Sequence, residues 1–343
     1  MSCKAGQRHY PIRIRKSELS ETLFVRHSPV SLPPINLPLP NLDAWRNTNT
    51  GIPGVITHDT GRSGPECVII ALMHGNEFAG GHALERLRVT QSAPAAGRLT
   101  LILANLKAFG FFQSQNPLAA RYLEEDMNRV WSMQRLRGNE SSLELSRARE
   151  IEPFIRRADL LLDLHSTLWS SDPFFIAPYA KRSADFARNL ATIKDVPSCV
   201  VTDLGHQSGA RLIDYDRFAA TVGAGRGCLL EAGQHWHQET LTVMNHTVQA
   251  FLEHAEALHL NHHVASQAVQ CVSVTDNVVA RSAEFAFTQC WRGHSCISRA
   301  GTLIARDGRD LIYTPYDDCI LVVPNHRPRI GQLAVRLGRR TAS

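Results

Sequence analysis

ECVIIALMHGNE, residues Glu66 to Glu77, decides how the rest of the chain is read. Its first eight residues are an almost unbroken apolar run, and the run ends in His-Gly. A strand buried on both faces reads this way, because neither side of it meets water. The glycine then permits a tight turn. Asn76–Leu87 follows with Phe78, Ala79, Ala83, Leu84 and Leu87 at helical spacing. One strand, one turn and one helix are thus expected within 22 residues.

The same alternation continues outward. RLTLILANL (98–106), ADLLLDLHST (158–167), SCVVTDL (198–204) and GRGCLLEAG (225–233) read as further buried strands. Residues 141–158, 183–193 and 239–258 have helical spacing, although Pro153 leaves the end of the first uncertain. Strands alternating with helices predict an α/β fold, with a mixed sheet flanked by helices. After His263 the texture changes to short β-like segments split by Gly, Pro and Asp, which predicts a smaller C-terminal β domain. At the other end, SLPPINLPLPN (31–41) carries four prolines and cannot form a regular helix. The expected organisation is an extended arm over 1–50, a catalytic domain over 51–260 and a β domain over 265–343, with the boundary near 258–268.

Composition narrows the function classes. The chain has 343 residues, 43% of them hydrophobic and 20% charged, ordinary values for a globular protein. A chain of this length buries a large core without metal or disulfide staples. Its formal charge of +5 is scattered, with no basic stripe of the kind a nucleic acid requires. The eight cysteines include no CxxC pair and read as reduced thiols. No leader-like apolar segment opens the chain, and no run approaches the ~20 residues of a membrane span. A soluble cytoplasmic protein is expected, with no nucleic-acid or membrane partner. The sequence leaves room for a homo-oligomer.

Three motifs lie at or just beyond the ends of predicted strands, where sites collect in open α/β sheets. His74 and Glu77 flank a turn entering a helix and can reach one metal ion. His165, in Asp163-Leu-His-Ser-Thr167, can supply a third ligand. Two imidazoles and a carboxylate leave one position open, as catalytic zinc sites do. Asp163 can orient a ligand histidine through its other nitrogen. Glu231 closes an apolar strand, a location that suits either a general base or an ion pair. The segment Arg121-Tyr-Leu-Glu-Glu-Asp-Met-Asn-Arg129 reads as a solvated loop or as a loop aiming two guanidiniums and an amide at oxygen atoms.

HGNE, RYLEEDMNR, DLHST and LLEAG, in this order, resemble the succinylglutamate desuccinylase/aspartoacylase family of zinc carboxypeptidase-like hydrolases. The likeness runs from about Glu66 to Gly233 and resumes in the C-terminal segments. It implies a carboxypeptidase-like sheet and one zinc ion per chain, held by His74, Glu77 and His165. It implies zinc-activated water attacking the acyl carbonyl of an N-acyl amino acid, a small-molecule substrate. Glu231 matches the general acid/base, Arg121 the group that polarises the carbonyl, and Asn128 and Arg129 the pair that holds the substrate carboxylate. A further substrate arginine is expected upstream of Glu231, with Arg217 and Arg226 as candidates. The loop DYDRFAATVGAG and the flank Gln234-His-Trp-His237 depart from the family pattern, so the acyl group and amino acid stay open. A metallocarboxypeptidase acting on small peptides and a non-catalytic binding protein of this fold are the alternatives. GxSxG is absent, which argues against a serine nucleophile.

Overall fold

The structure, a computed structural model, describes residues 13–15, 30–92, 94–206, 208–260 and 267–341, with the side chains of 13–15 and 257–260 outside the description. Most of the predicted arm, Cys3 and part of the predicted domain boundary (261–266) therefore lie outside the described residues. The chain divides into two compact units. The larger comprises Pro34–Thr167 and Pro173–Cys271, and the smaller comprises Leu168–Asp172, Val272–Ala342 and the described residues before Pro34.

Strand β1 (Arg13–Arg15) belongs to the smaller unit. In the larger, chain order gives β2 (Val55–Asp59), β3 (Glu66–Ala71), α1 (Ala79–Thr90), β4 (Arg98–Leu103), α2 (Leu106–Phe109), α3 (Met133–Arg137) and α4 (Leu143–Arg157). There follow β5 (Leu160–Thr167), β6 (Phe174–Pro178), α5 (Lys181–Ala191), β7 (Cys199–Asp203), α6 (Asp216–Ala219), β8 (Arg226–Gln234) and α7 (Gln238–Leu260). The larger unit's strands are ordered β7-β6-β8-β5-β3-β4-β2. The neighbours β8, β5, β3 and β4 are parallel, β2 runs against β4, and β6 runs against β8. The fold is thus a mixed α/β sheet.

Every residue of β5 is buried, as its central position between β8 and β3 demands. Helix α1 begins at Ala79, three residues later than its apolar spacing predicts. The intervening residues form a turn in which the Glu77 amide donates to the His74 carbonyl. Helix α4 passes through Pro153 to Arg157. Its interior proline costs about 3 kcal/mol in an isolated helix, which burial of Leu145, Ala148, Ile151 and Ile155 offsets here. Two strands were not legible beforehand. β2 is short and half polar, and β6 is five residues ending in proline, a run too brief to classify.

Strands of the smaller unit are β9 (Gln270–Val279), β10 (Ala286–Phe287), β11 (Ser295–Ile297), β12 (Leu303–Asp307), β13 (Asp310–Tyr313), β14 (Cys319–Val322) and β15 (Leu333–Thr341). They form the orders β1-β13-β12-β10 and β11-β14-β15-β9. The β1–β13, β12–β13, β10–β12, β11–β14 and β14–β15 pairs are antiparallel. Val278, Phe287, Ile304, Ile312 and Val335 are among the side chains of its core. Among the described residues no helix is long and apolar enough to cross a membrane.

Candidate active site

Three adjacent parallel strands, β8, β5 and β3, carry the motifs at their carboxyl ends. Beyond β3 the backbone turns sharply at Leu72, a fully buried residue with φ of 55°. A non-glycine residue in this region is strained by about 1–3 kcal/mol and needs firm surroundings. Here Asn105 donates its amide to the Leu72 carbonyl. Gly75 then approaches its neighbours so closely that a Cβ would sit 2.4 Å from the Phe109 nitrogen and 2.5 Å from the Ala120 oxygen. Its amide donates to the Arg121 carbonyl, which ties the His74–Glu77 turn to the loop ahead of it.

This turn brings His74 and Glu77 to His165, near the end of β5. Their donor atoms lie within 4.8 Å of one another, and all three residues are buried. His74 Nδ1 is 2.7 Å from Glu77 Oε1, and His165 Nδ1 is 3.0 Å from Glu77 Oε2. The far nitrogens face carboxylates too: His74 Nε2 is 2.9 Å from Asp126 Oδ1, and His165 Nε2 is 3.1 Å from Asp163 Oδ2. Each imidazole thus points Nδ1 inward and Nε2 at an aspartate, the usual way to orient a metal-binding histidine. A neutral imidazole with its proton on Nε2 would aim a lone pair at the Glu77 carboxylate, which is repulsive. A cation between these donors would remove that repulsion. Burial of Glu77 works against its charge, but His74 and His165 outweigh it and hold the carboxyl well below the usual range. The donor set of two nitrogens and one oxygen fits zinc.

The loop from Arg121 to Arg129 is built by buried anchors rather than solvated. Glu144, 1% exposed, accepts the amides of Leu123, Glu124 and Glu125 and the side chain of Asn105. Asp126 caps the next turn by accepting the Asn128 amide at 2.9 Å. Arg121 donates to Glu77 Oε1 at 3.2 Å and to Asp126 Oδ2 at 3.1 Å. Burial disfavours its charge, yet Asp126 and Glu77 keep the guanidinium protonated beyond its ordinary range. Asn128 is buried, with Nδ2 3.4 Å from His165 Nε2. Arg129 donates to the Asn128 carbonyl and to Ser208 Oγ. Glu231 stands opposite His165 in the β5–β8 register and opposite Phe174 on β6, and its charge acts on Arg121.

Neither candidate for the additional arginine comes near. Arg226 opens β8, opposite Leu160, five residues before Glu231 and roughly 16 Å away along a strand. Arg217 donates to the carbonyls of Ala158 and Arg157 and to Asp159, before the start of β5. Both sit at the amino ends of the strands, away from His165 and Glu231. The arginine that does lie on this side is Arg211, buried between Asp203 and Asp214. Sequence reading also passed over Asp126 and the Ser166–His235 pair, whose Oγ and Nδ1 are 2.8 Å apart. Asp126 lies two residues before Asn128 in a motif already singled out, which is the signal that was available. The unusual flank after Glu231 is a packed turn: Trp236 is fully buried and donates Nε1 to the Asn76 carbonyl at 3.0 Å.

A family model described as the succinylglutamate desuccinylase/aspartoacylase catalytic domain matches residues 63–255. No curated protein matches the chain significantly. Among solved structures, succinylglutamate desuccinylase from Vibrio cholerae is similar at a TM-score of 0.63 and 19% identity, covering 93% of each chain. The enzyme of the same name from Vibrio parahaemolyticus gives 0.63 and 17%, over 84% of this chain and 87% of its own. The product-bound ectoine utilization protein EutE (DoeB) from Ruegeria pomeroyi gives 0.58 and 19%, over 83% and 87%. At these identities the structural likeness is one of fold. The family match spans more than half of the chain and covers every motif described above, so the chain belongs to the succinylglutamate desuccinylase/aspartoacylase family.

Proposed function

We propose that the chain is a zinc-dependent amidohydrolase that cleaves the amide bond of an N-acyl amino acid. The observation that carries this reading is the inward convergence of His74 Nδ1, Glu77 and His165 Nδ1, with Asp126 and Asp163 behind the two rings. These three would hold one metal ion per chain. When bound, zinc supplies Lewis acidity, which polarises a carbonyl and strengthens water as an acid.

The chain's own groups then divide the remaining work. Asn128 and Arg129 hold the substrate's carboxylate and so fix the acyl carbonyl near Glu231. Glu231 takes a proton from the attacking water and returns it to the amine nitrogen as the C–N bond breaks. Arg121, kept charged by Asp126 and Glu77, neutralises the oxygen that becomes negative as the carbonyl carbon turns tetrahedral. The products are a free carboxylate and a free amino acid. The seven described cysteines are all free thiols, which suits a cytoplasmic setting.

The test is amine release from a panel of N-acyl amino acids and short peptides by metal-loaded protein. Chelator-sensitive release from one N-acyl amino acid is the expected result and names the substrate. Cleavage confined to peptides would replace the reading with a metallocarboxypeptidase. Silence across the whole panel would point to a binding role.

A further inference from the structure

The loop between β7 and α6 is bound tightly to the substrate-holding segment, and a buried ion cluster fixes it there. Ser208 Oγ accepts from Arg129 Nε, the Ala210 carbonyl accepts from the Trp131 amide, and Ala210 bridges Val130 in parallel. Gly209, at φ of 138°, lies so near Arg129 that a Cβ would fall 2.3 Å from its carbonyl oxygen. Three residues on, the Leu212 amide donates to Asn128 Oδ1 at 2.8 Å.

That last bond sets a polarity. A backbone N–H only donates, so the atom of the Asn128 amide facing it must be the oxygen. The NH2 group is therefore the end turned toward His165. With Leu212 withdrawn, the amide could rotate by half a turn and present its oxygen there instead. The Leu212 amide thus fixes which way round the Asn128 side chain sits beside His165.

Arg211 holds Leu212 in position. Its Nη1 and Nη2 donate to Asp203 at 2.9 and 2.6 Å, and its Nε and Nη2 donate to Asp214, each at 2.8 Å. Its own amide donates to Asp214 Oδ2 at 3.0 Å, closing the loop on itself. Asp203 is the last residue of β7, so the cluster fastens the loop to the sheet. Arg211 and Asp203 are both 3% exposed. Arg211 spends its donors on the two carboxylates and acts on the site through its neighbour Leu212.

We propose that Arg211, clamped between Asp203 and Asp214, is a positioning residue that, through the Leu212 amide, locks the orientation of the Asn128 side chain. The idea rests on Asn128 holding the substrate's carboxylate. Charge-assisted hydrogen bonds of this kind are worth about tenfold in an equilibrium each. Arg211→Lys keeps the charge but loses the two-sided fork.

The experiment compares Arg211→Lys, Asn128→Ala and the double variant in metal-loaded protein, with hydrogen exchange of residues 209–215 followed by mass spectrometry. Arg211→Lys is expected to raise KM about tenfold with little change in kcat and none in bound metal, and to speed exchange about tenfold. The double variant should lose no more in kcat/KM than Asn128→Ala alone, because Arg211 works through Asn128. Additive losses, or a normal KM beside accelerated exchange, would overturn the proposal. Asp214→Asn, which breaks the more exposed arm of the cluster, takes the place of Arg211→Lys if that protein does not fold. Wild-type protein inactive on every N-acyl amino acid would sink the functional reading instead. Exchange then still decides the clamp, which fails if neither Arg211→Lys nor Asn128→Ala speeds it.

Discussion

At the scale of single residues, the site is a set of charges held in fixed directions. Both imidazoles turn Nε2 to an aspartate, which aims their Nδ1 atoms at Glu77. Asp126→Asn should therefore weaken zinc binding about 10–100-fold, read by competition with a chromogenic chelator; unchanged affinity would show that Asp126 does not orient His74. Glu231→Gln should retain zinc and lose turnover by about 10²–10⁴-fold, the usual worth of a positioned proton-transfer group. Near-normal turnover in metal-loaded Glu231→Gln would remove it as the general base. Away from the site, burial pushes the His294 imidazole from 6.5 down to about 4. Between these values the unfolded chain binds a proton that the folded chain refuses. The stabilisation is complete above the unfolded value and is lost as pH falls from about 6.5 toward 4. His294→Gln should thus flatten the fall in melting temperature between pH 7 and pH 5 relative to wild type, and parallel curves would contradict this.

At the scale of elements, the site is made by what surrounds the strands. Helix α4 presents Glu144 as a buried acceptor for three consecutive amides of the loop that carries Arg121 and Asp126. Glu144→Ala would leave those donors unpaired, at about 1–3 kcal/mol for an unsatisfied buried group. A lower urea midpoint together with reduced kcat/KM is expected; a stability loss without any kinetic effect would mean the loop holds its shape by other contacts. Helix α4 itself starts cleanly because Ser142 accepts the Leu145 amide. Its far end was uncertain from the sequence because propensity weighs Pro153 heavily, whereas the apolar face of the helix decides the outcome.

At the scale of the whole molecule, a metal ion held by the proposed site would couple to the fold. In the larger unit, Glu77 is buried beside the Arg121 guanidinium and between the His74 and His165 rings. A ligand that binds only the folded chain stabilises it by about 4 kcal/mol at a thousandfold excess over Kd. Chelation should accordingly lower the melting temperature by several degrees, and restoring zinc should recover it. A melting curve indifferent to chelator would mean that the three donors hold no ion.

What the sequence determined by itself was whatever short-range order writes into it. Continuous apolar runs gave β3, β4, β5, β7 and β8, because strands buried on both faces have no polar side to show. Helical spacing gave α1, α4, α5 and α7. His74, Glu77, His165 and Glu231 stood out because polar groups are costly at the end of a buried strand. The tertiary structure decided the rest, since a partner distant in the chain leaves no local trace. Asp126 behind His74, Glu144 beneath the Arg121 loop and the Asp203–Arg211–Asp214 cluster join residues between 3 and 52 positions apart. The resemblance offered Arg217 and Arg226 as candidates, yet five residues of extended strand separate Arg226 from Glu231. Distance along an extended strand grows by about 3.3 Å per residue, whereas a loop such as 204–215 folds back and brings Leu212 to Asn128.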